Sequence, residues 1–181
     1  MLYDIFFDRD AMLVAKELLG KVIRVHRGSQ VLSAMITETE CYYLTEKGSH
    51  ASLGFTEKRK ALFMPAGTIY MYYARGKDSL NISCKGDGNA VLIKGAMPYI
   101  DSISPEHTID VMHKNNPLPD GRKRPLRRLC SGQTLLCRSL GIKLSDWDGM
   151  NFVADKFYFE DVNYRPEKIK QTTRQGITDG R

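Results

Sequence analysis

The sequence lacks features that would mark several classes of protein. No apolar run in the 181 residues approaches the roughly 18 consecutive positions that span a membrane, so no membrane partner is expected. The N-terminal stretch MLYDIFFDRD has neither the basic flank nor the small-residue cleavage site of a signal peptide. These absences favour a soluble protein that is cytoplasmic, or at least intracellular.

Cysteine is sparse as well. The chain has four cysteines, and they form no CxxC pair and have no histidine at the spacing of a zinc site: Cys41, Cys84, Cys130 and Cys137. Thiols without such partners in an intracellular protein are expected to be reduced and mostly buried. The sequence therefore predicts no metal site.

Positive charge, in contrast, is in excess. A formal net charge of +6 and a pI of about 9.1 favour a polyanionic partner. The basic residues bunch in GRKRPLRR, with no acid between them: Arg122, Lys123, Arg124, Arg127 and Arg128. Such a run can be a phosphate-binding patch or merely a solvated loop, and charge alone leaves both interpretations open.

Local patterns predict an α+β domain on a mostly antiparallel sheet. Asp10 is placed to cap a first helix, and residues 21–43 predict a long hairpin. Residues 68–97 predict a meander of three strands. Ser104 followed by Pro105 predicts the start of another helix. A further helix, SGQTLLCRSLGI, precedes a last strand in FVADKFYFED.

The stretch MITETECYYLTEKGSH contains the first candidate site. As a strand it places Glu38, Glu40 and Tyr42 on one face, and His50 follows within a short loop. Acids at a period of two often line a wet sheet face. The same acids beside an aromatic ring and an imidazole can also border a reactive pocket. Both interpretations stay open on this pattern alone.

A second constellation lies in YMYYARGKDSLN. Tyr70 and Tyr72 share one face of the predicted strand, Tyr73 takes the other, and the turn presents Arg75 and Lys77 at its tip. Aromatic residues favour strands for packing alone. A basic tip on an aromatic hairpin also suits insertion into a nucleic-acid groove.

The strands after the hairpin add two polar candidates, Asn81 and Lys94. Asparagine is uncommon inside strands, and its amide can either bond to nearby backbone or contact the edge of a base. Spacing does not decide between these two roles.

Taken in order, ETEC-Y, the following histidine, LFMPAGTIYMYY, LNISCKGDGNAVLIK and LCSGQTLLCRSLGI resemble the alkyladenine (3-methyladenine) DNA glycosylase family of base-excision repair. The resemblance runs from LLGKVIR near the start to TRQGI near the end. It implies one domain over residues 1–181, with a curved, mostly antiparallel sheet, flanking helices and a protruding β-hairpin. It also implies a monofunctional hydrolase of N-glycosidic bonds acting on alkylated or deaminated purines, of the 3-methyladenine, hypoxanthine and ethenoadenine type.

The resemblance implies a role for each matching residue of the pocket. Glu40 matches the residue that deprotonates a water at the sugar carbon, and Lys94 matches a basic residue that helps to hold this water. Tyr42 and His50 match the rings between which a flipped base stacks. Two further matches complete the expected base pocket, a ring that closes its third side and an amide that discriminates against guanine: Tyr72 and Asn81.

The resemblance also implies how DNA is held. The hairpin residues Arg75, Tyr73 and Lys77 and the basic run are expected to contact DNA. The expected partner is double-stranded DNA containing damaged purines, bound by a monomer without cofactor or metal. Arg75 stands where the family commonly has a tyrosine that fills the gap left by the flipped nucleotide. Lys94 stands where arginine is usual.

Two other functions fit parts of the sequence. A lesion-binding family member with little excision would fit Arg75, Lys94 and a C-terminus that stops at Arg181, where the family generally continues into a further strand. An RNA- or nucleoside-directed hydrolase could use the same carboxylate. Glu40 argues against a pure binding protein, and the basic run argues against a free nucleoside, which needs no phosphate track.

Overall fold

One antiparallel sheet organises the chain. The computed structural model describes residues 1–173, and within them six strands pair in the order β3-β4-β5-β2-β1-β6. Each neighbouring pair is antiparallel. Their bounds are Val22–Arg27 for β1, Gln30–Tyr42 for β2, Ile69–Ala74 for β3, Lys77–Ser83 for β4, Ala90–Pro98 for β5 and Phe157–Glu160 for β6. The predicted α+β class, the long hairpin and the three-stranded meander are confirmed.

Helices lie between and beside these strands. Their bounds are Asp4–Phe7 for α1, Ala11–Leu18 for α2, Thr108–Asn115 for α3, Gln133–Leu140 for α4 and Leu144–Trp147 for α5, with 3-10 segments at His50–Leu53, Glu57–Phe63 and Leu126–Arg128. Asp10 caps α2 as predicted, because its carboxylate accepts from the backbone N–H groups of Met12 and Leu13 at 3.0 and 3.3 Å. Within residues 1–173, every helix is too short or too polar to cross a bilayer.

The predicted start of α3 is wrong by three residues. The helix begins at Thr108, and the Ser104 hydroxyl donates to the carbonyl oxygen of Val31 at 2.7 Å instead of capping it. The cap-and-proline pattern is a local signal, and a tertiary contact with β2 overrides it here. The segment TRQGI falls mainly on residues 174–181, which lie outside the described residues, so the expectation of a missing last strand stays a prediction.

A β-bulge in β2 decides which side chains face the site. Ile36 pairs with Ala96 and packs in the core, whereas the register with β5 shifts on either side of Glu38. After the bulge the odd-numbered residues face the core: Thr39 donates to the Ala15 carbonyl of α2 at 2.8 Å. Glu40 consequently projects from the opposite face of the sheet, since alternate strand residues point to opposite sides.

The thiols behave as predicted. Cys84, Cys130 and Cys137 are buried, Cys41 is half-buried, and all four are present as thiols. Burial raises the pKa of the Cys84 and Cys130 thiols to about 12, so they stay protonated near neutral pH. These cysteines serve as small core side chains.

An arginine stands in the middle of β1, and no sequence pattern indicated its burial. Arg24 is 1% exposed. Its guanidinium donates two hydrogen bonds to Asp101, at 2.6 and 3.0 Å, and one to Glu160 at 2.8 Å. These bonds join β1 to β6 and to the loop before α3, so the buried charge is fully compensated.

Candidate active site

A cavity that is open to solvent lies on the sheet face that Glu40 and Tyr42 share. Strands β2 to β5 contribute one wall, and the segment before the His50–Leu53 helix contributes the other. The cavity is lined by Tyr42, Gly48, Ser49, His50, Leu62, Tyr70, Tyr72, Asn81 and Ala90. The structure therefore brings together all four residues that the sequence analysis assigned to a base pocket. Three tyrosines and a histidine make the cavity strongly aromatic.

Glu40 sits beside this cavity and is held at both carboxylate oxygens. Lys94 Nζ lies 2.9 Å from Oε1, and the Tyr42 hydroxyl donates to Oε2 at 2.6 Å. Lys94 reaches Glu40 from β5 at the point where the β2–β5 register shifts. Tyr42 lines the cavity and also donates a hydrogen bond to Glu40, so a molecule bound in the cavity would lie close to the carboxylate.

His50 is fixed by two tyrosines. Its Nδ1 lies 2.9 Å from the Tyr70 hydroxyl, and its ring meets that of Tyr72 edge-on with centroids 4.4 Å apart. Partial burial lowers the pKa of His50, and the positive charge of Arg59 lowers this pKa further. Burial also raises the pKa of Tyr70 to about 12. The pair is therefore uncharged at neutral pH, with a neutral imidazole facing the cavity.

Asn81 forms part of the cavity floor. It is 4% exposed, and its amide nitrogen donates to the carbonyl oxygen of Tyr70 across the β3–β4 pair at 3.2 Å. This bond fixes the orientation of the side chain. The two roles that the sequence left open are thus compatible, because an amide anchored to backbone also contributes to the cavity lining.

Several cavity residues were absent from the sequence prediction. Tyr70 shares a strand face with Tyr72, so the period of two could have identified it. Gly48, Ser49 and Leu62 come from segments whose path is set by tertiary packing, and no local pattern places them at the site. Gln133, the first residue of α4, was also missed; its amide nitrogen lies 3.5 Å from the Tyr72 hydroxyl.

The β3–β4 hairpin extends from the cavity wall to a two-residue turn. Arg75 and Gly76 form this turn with φ of 52° and 75°, between the paired residues Ala74 and Lys77. Arg75, Lys77 and Tyr73 are exposed, Tyr73 by 60%. The predicted DNA-contacting residues of the hairpin are therefore available at its surface.

The β3–β4 hairpin is fastened to the α5 region from its middle to near its tip. The backbone N–H of Leu144 donates to Asp78 at 2.7 Å, and that of Met71 donates to Asp148 at 2.8 Å. Hydrogen bonds to ionised groups are stronger than neutral ones. The hairpin is thus braced to within two residues of its turn, and the turn itself is exposed.

The five basic residues of the run 122–128 do not share one environment. Arg122 and Lys123 are exposed but pair with Asp120 and Asp110, at 2.7 and 2.8 Å. Arg124 is half-buried and donates to the carbonyl oxygens at 116 and 117. The remaining two members, Arg127 and Arg128, are also exposed. Their side chains form no hydrogen bond or ion pair with any residue within 1–173.

Glu38 differs clearly from Glu40. It is exposed, and its carboxylate lies over Gly95 at the bulge, where a side chain on that glycine would approach Glu38 Oε2 to 3.4 Å. Among residues 1–173 no group of three or more His, Cys, Asp or Glu side chains is arranged to hold a metal ion. What the site offers is a single tethered carboxylate beside an aromatic cavity.

Comparison with known proteins identifies the family. The family model described as Methylpurine-DNA glycosylase (MPG) matches residues 5–181. A Pseudomonas aeruginosa (strain LESB58) protein named "Putative 3-methyladenine DNA glycosylase" is 57% identical over 178 residues, which cover 98% of this chain and 74% of the relative.

Two further relatives carry the same name. One, from Pseudomonas syringae pv. tomato (strain ATCC BAA-871 / DC3000), is 58% identical over 99% of this chain and 81% of its own length. The other, from Koribacter versatilis (strain Ellin345), is 30% identical over 96% of this chain and 82% of its own length. The chain belongs to the methylpurine-DNA glycosylase family, and thus to the enzymes that hydrolyse N-glycosidic bonds in DNA.

Proposed function

We propose that this protein flips a damaged purine out of duplex DNA and excises it by hydrolysis, as the first step of base-excision repair. The proposed substrates are 3-methyladenine, hypoxanthine and ethenoadenine. The proposal places the activity in one domain formed by residues 1–181, acting as an intracellular monomer without cofactor. The observation that carries it is the position of Glu40, tethered by Lys94 and Tyr42 beside an aromatic cavity.

In the proposed reaction, Glu40 acts on water and on the sugar. The carboxylate accepts a proton from a water molecule while the water oxygen bonds to the anomeric carbon, and the N-glycosidic bond breaks with its electron pair leaving on the purine. The sugar passes through an oxocarbenium-like transition state, whose positive charge the same carboxylate stabilises. A carboxylate has about four lone-pair sites, so Lys94 and Tyr42 leave room for the water.

Lys94 and Tyr42 have complementary parts in this scheme. Lys94 neutralises the charge of the carboxylate in a half-buried site and holds its orientation. The Tyr42 hydroxyl fixes the second oxygen, and its ring offers a stacking surface to the base. The carboxylate is thereby pre-organised beside the cavity.

The aromatic walls favour planar, electron-poor bases. An alkylated purine carries positive charge, which is attracted to the faces of tyrosine rings. His50 stays neutral because its pKa is lowered, so it adds a second planar wall without repelling such a base. In this proposal Asn81, held by its bond to the Tyr70 carbonyl of β3, crowds the exocyclic amino group that distinguishes guanine.

A second candidate, lesion binding with little excision, is favoured by one feature of this chain. The hairpin tip presents Arg75 instead of a large apolar ring, and a guanidinium fills the gap left by a flipped nucleotide less completely. Weaker insertion lowers the fraction of time that a base spends in the cavity. Binding would then persist through phosphate contacts while excision slowed.

The test is single-turnover excision from duplexes containing hypoxanthine, ethenoadenine or 3-methyladenine. Glu40→Gln keeps the size of the side chain and removes the carboxylate that acts as the general base, so we expect the excision rate to fall by about a thousandfold. Glu38→Gln is the matched control, because Glu38 is a neighbouring carboxylate that is exposed. Its rate should equal that of the native chain.

Two other outcomes would decide against the proposal. Equal base release by the native chain and Glu40→Gln would show that Glu40 is not the catalytic carboxylate. If the native chain binds lesion duplexes tightly and releases no base, lesion binding is its function instead.

A further inference from the structure

We infer that a second surface beside the cavity binds the duplex: Leu53, Phe55, Lys58, Arg59 and Lys60, here called the 53–60 surface. The inference rests on the proposed function and extends it to residues outside the hairpin and the basic run. Its starting point is the exposure of two apolar side chains next to the cavity, since Leu53 is 70% and Phe55 58% exposed. Single exposed apolar side chains are normal, so the support and the charges around these two carry the inference.

Phe55 is exposed but held in place. Its ring meets that of Phe63 edge-on, with centroids 5.6 Å apart. Phe63 in turn packs against a buried cluster that includes Leu62 and Tyr70, and both of these line the cavity. A ring supported in this way loses little conformational entropy when it contacts a partner. The exposed face of Phe55 is therefore a rigid continuation of the cavity wall.

Arg59 joins this surface to the cavity. One of its terminal nitrogens donates to the carbonyl oxygen of Leu53 at 3.3 Å, and its charge adds to the effect of burial in lowering the pKa of His50. Its Nε is buried and has no acceptor within residues 1–173. Arg59 itself is half-buried, and its positive charge adds to that of the two neighbouring lysines.

The charges of the surface suit a polyanion. Lys58 and Lys60 are exposed on the Glu57–Phe63 helix, and Glu57 is the acid next to them. Lysine contacts to phosphate combined with ring contacts to sugars and bases are the usual means of binding a nucleic-acid strand. The chemistry therefore favours DNA backbone together with an unstacked base or sugar.

Continuity with the cavity identifies which molecule this is. Leu53 ends the short 3-10 helix that begins at His50, so the two residues are only about 6 Å apart along the helix axis. A strand whose flipped base lies against His50 must continue past this helix. An acidic protein partner would meet the same lysines but would have no group in the cavity.

The first test measures equilibrium binding to a duplex with one hypoxanthine. We expect Phe55→Ser to raise the Kd about tenfold, the size of effect found when one ring–base contact is removed. Ile5→Ser is the matched control, since Ile5 is 80% exposed on α1, and it should leave the Kd unchanged. Thermal unfolding of both variants checks that the fold is intact. A Kd for Phe55→Ser equal to that of the control would overturn the inference.

The second test uses salt. Replacing Lys58 and Lys60 together by Ala should reduce the slope of log K against log salt by about 0.9 for each phosphate that these lysines neutralise in the native complex. The control pair is Lys16→Ala with Lys156→Ala, which are exposed lysines on α2 and in the turn before β6. A slope for the Lys58→Ala, Lys60→Ala variant equal to that of the native chain would also overturn the inference.

Binding and excision separate this inference from the proposed function. If the native chain releases no base but Phe55→Ser still weakens duplex binding, the 53–60 surface stands and the excision proposal fails. If the native chain excises normally and Phe55→Ser binds and excises as well as it does, only the surface is refuted.

Discussion

Lys94 Nζ lies 2.9 Å from Glu40 Oε1, across two strands whose register shifts just before this pair. The irregular pairing turns Glu40 away from the core, toward the sheet face that carries the cavity, and Lys94 meets it there. A charge pair in a half-buried site depends strongly on geometry, since each partner has lost part of its hydration. The pairing of these two residues is therefore the feature on which the proposed chemistry most depends.

Removing the charge of Lys94 should slow excision more than binding. Lys94→Met keeps most of the side-chain length and leaves the Glu40 carboxylate without its cation, so we expect the single-turnover rate to fall about 10- to 100-fold. Lys94→Arg retains the charge and is the control, with a rate close to that of the native chain. The measurement is excision of hypoxanthine with enzyme in excess. A Lys94→Met rate equal to that of Lys94→Arg would contradict the role.

Tyr42 offers a way to separate positioning of the carboxylate from stacking of the base. Tyr42→Phe removes the 2.6 Å hydrogen bond to Glu40 and keeps the ring. A hydrogen bond to a charged group contributes about 1.5–3 kcal/mol, so we expect a loss of roughly 10- to 100-fold in excision rate, with little change in lesion affinity. Tyr42→Ala should lose affinity as well. Equal effects of the two variants on affinity would show that stacking on this ring is unimportant.

The hairpin tip allows strain and DNA contact to be separated. Arg75 has a φ of 52°, a conformation that costs a side-chain-bearing residue free energy and costs glycine almost none. Arg75→Gly should therefore keep or slightly raise the melting temperature while it slows base flipping, which a fluorescent base analogue beside the lesion can report. Arg75→Ala keeps the strain and removes the same DNA contact. Native flipping rates in both variants would exclude Arg75 from the insertion.

The basic run should divide into two functional halves. Arg127→Ala with Arg128→Ala removes two exposed cations without internal partners, so the salt slope of duplex binding should fall by about 0.9 per phosphate contact. Arg122→Ala with Lys123→Ala should change the slope less, because these side chains already pair with Asp120 and Asp110. Fluorescence anisotropy across a salt series gives both slopes. Equal slopes for the two double variants would show that the ion pairs do not restrict DNA contact.

Much of the fold follows from local pattern. Asp10 caps its helix and the strands alternate where the sequence indicates, because capping and a period of two depend on near neighbours. The bulge near Glu38 is different. A strict period of two continued from Ile36 would bury Glu40 in the core, and only the pairing with β5 turns it outward. Local sequence gives no sign of that register shift.

The site was likewise only partly predictable. The motif resemblance named Tyr42, His50, Tyr72 and Asn81, and all four line one cavity. Tyr70 was available from the period of two but carried no motif of its own. Leu62 lies in the Glu57–Phe63 3-10 helix and reaches the cavity through tertiary packing, which no local pattern indicates. The basic run looked uniform in sequence, and its division appears only when Asp110, twelve residues before its first member, is seen to pair with Lys123.

The last prediction concerns stability in acid, through the buried Arg24. The hydrogen bonds that Arg24 donates hold the pKa of Asp101 below its ordinary value, although partial burial of Asp101 opposes this shift. A carboxylate whose pKa is lower in the folded state stabilises the fold above its unfolded pKa, near 4. This contribution is lost as the pH falls through the folded value. The free energy of unfolding should therefore decline below about pH 4.

Asp101→Asn tests this assignment. At pH 7 the variant should lose about 3 kcal/mol of unfolding free energy, near the lower limit for breaking a buried pair, because Glu160 continues to pair with Arg24. Its decline below pH 4 should be shallower than that of the native chain, since the titrating group is gone. Asp120→Asn is the control: Asp120 also has a lowered pKa, through Arg122, but both side chains are exposed, and screening by solvent should leave stability unchanged. Urea unfolding at several pH values gives all three curves. If the free energy of unfolding falls with pH in the same way for the native chain and Asp101→Asn, the Arg24–Asp101 pair does not cause the loss of stability in acid.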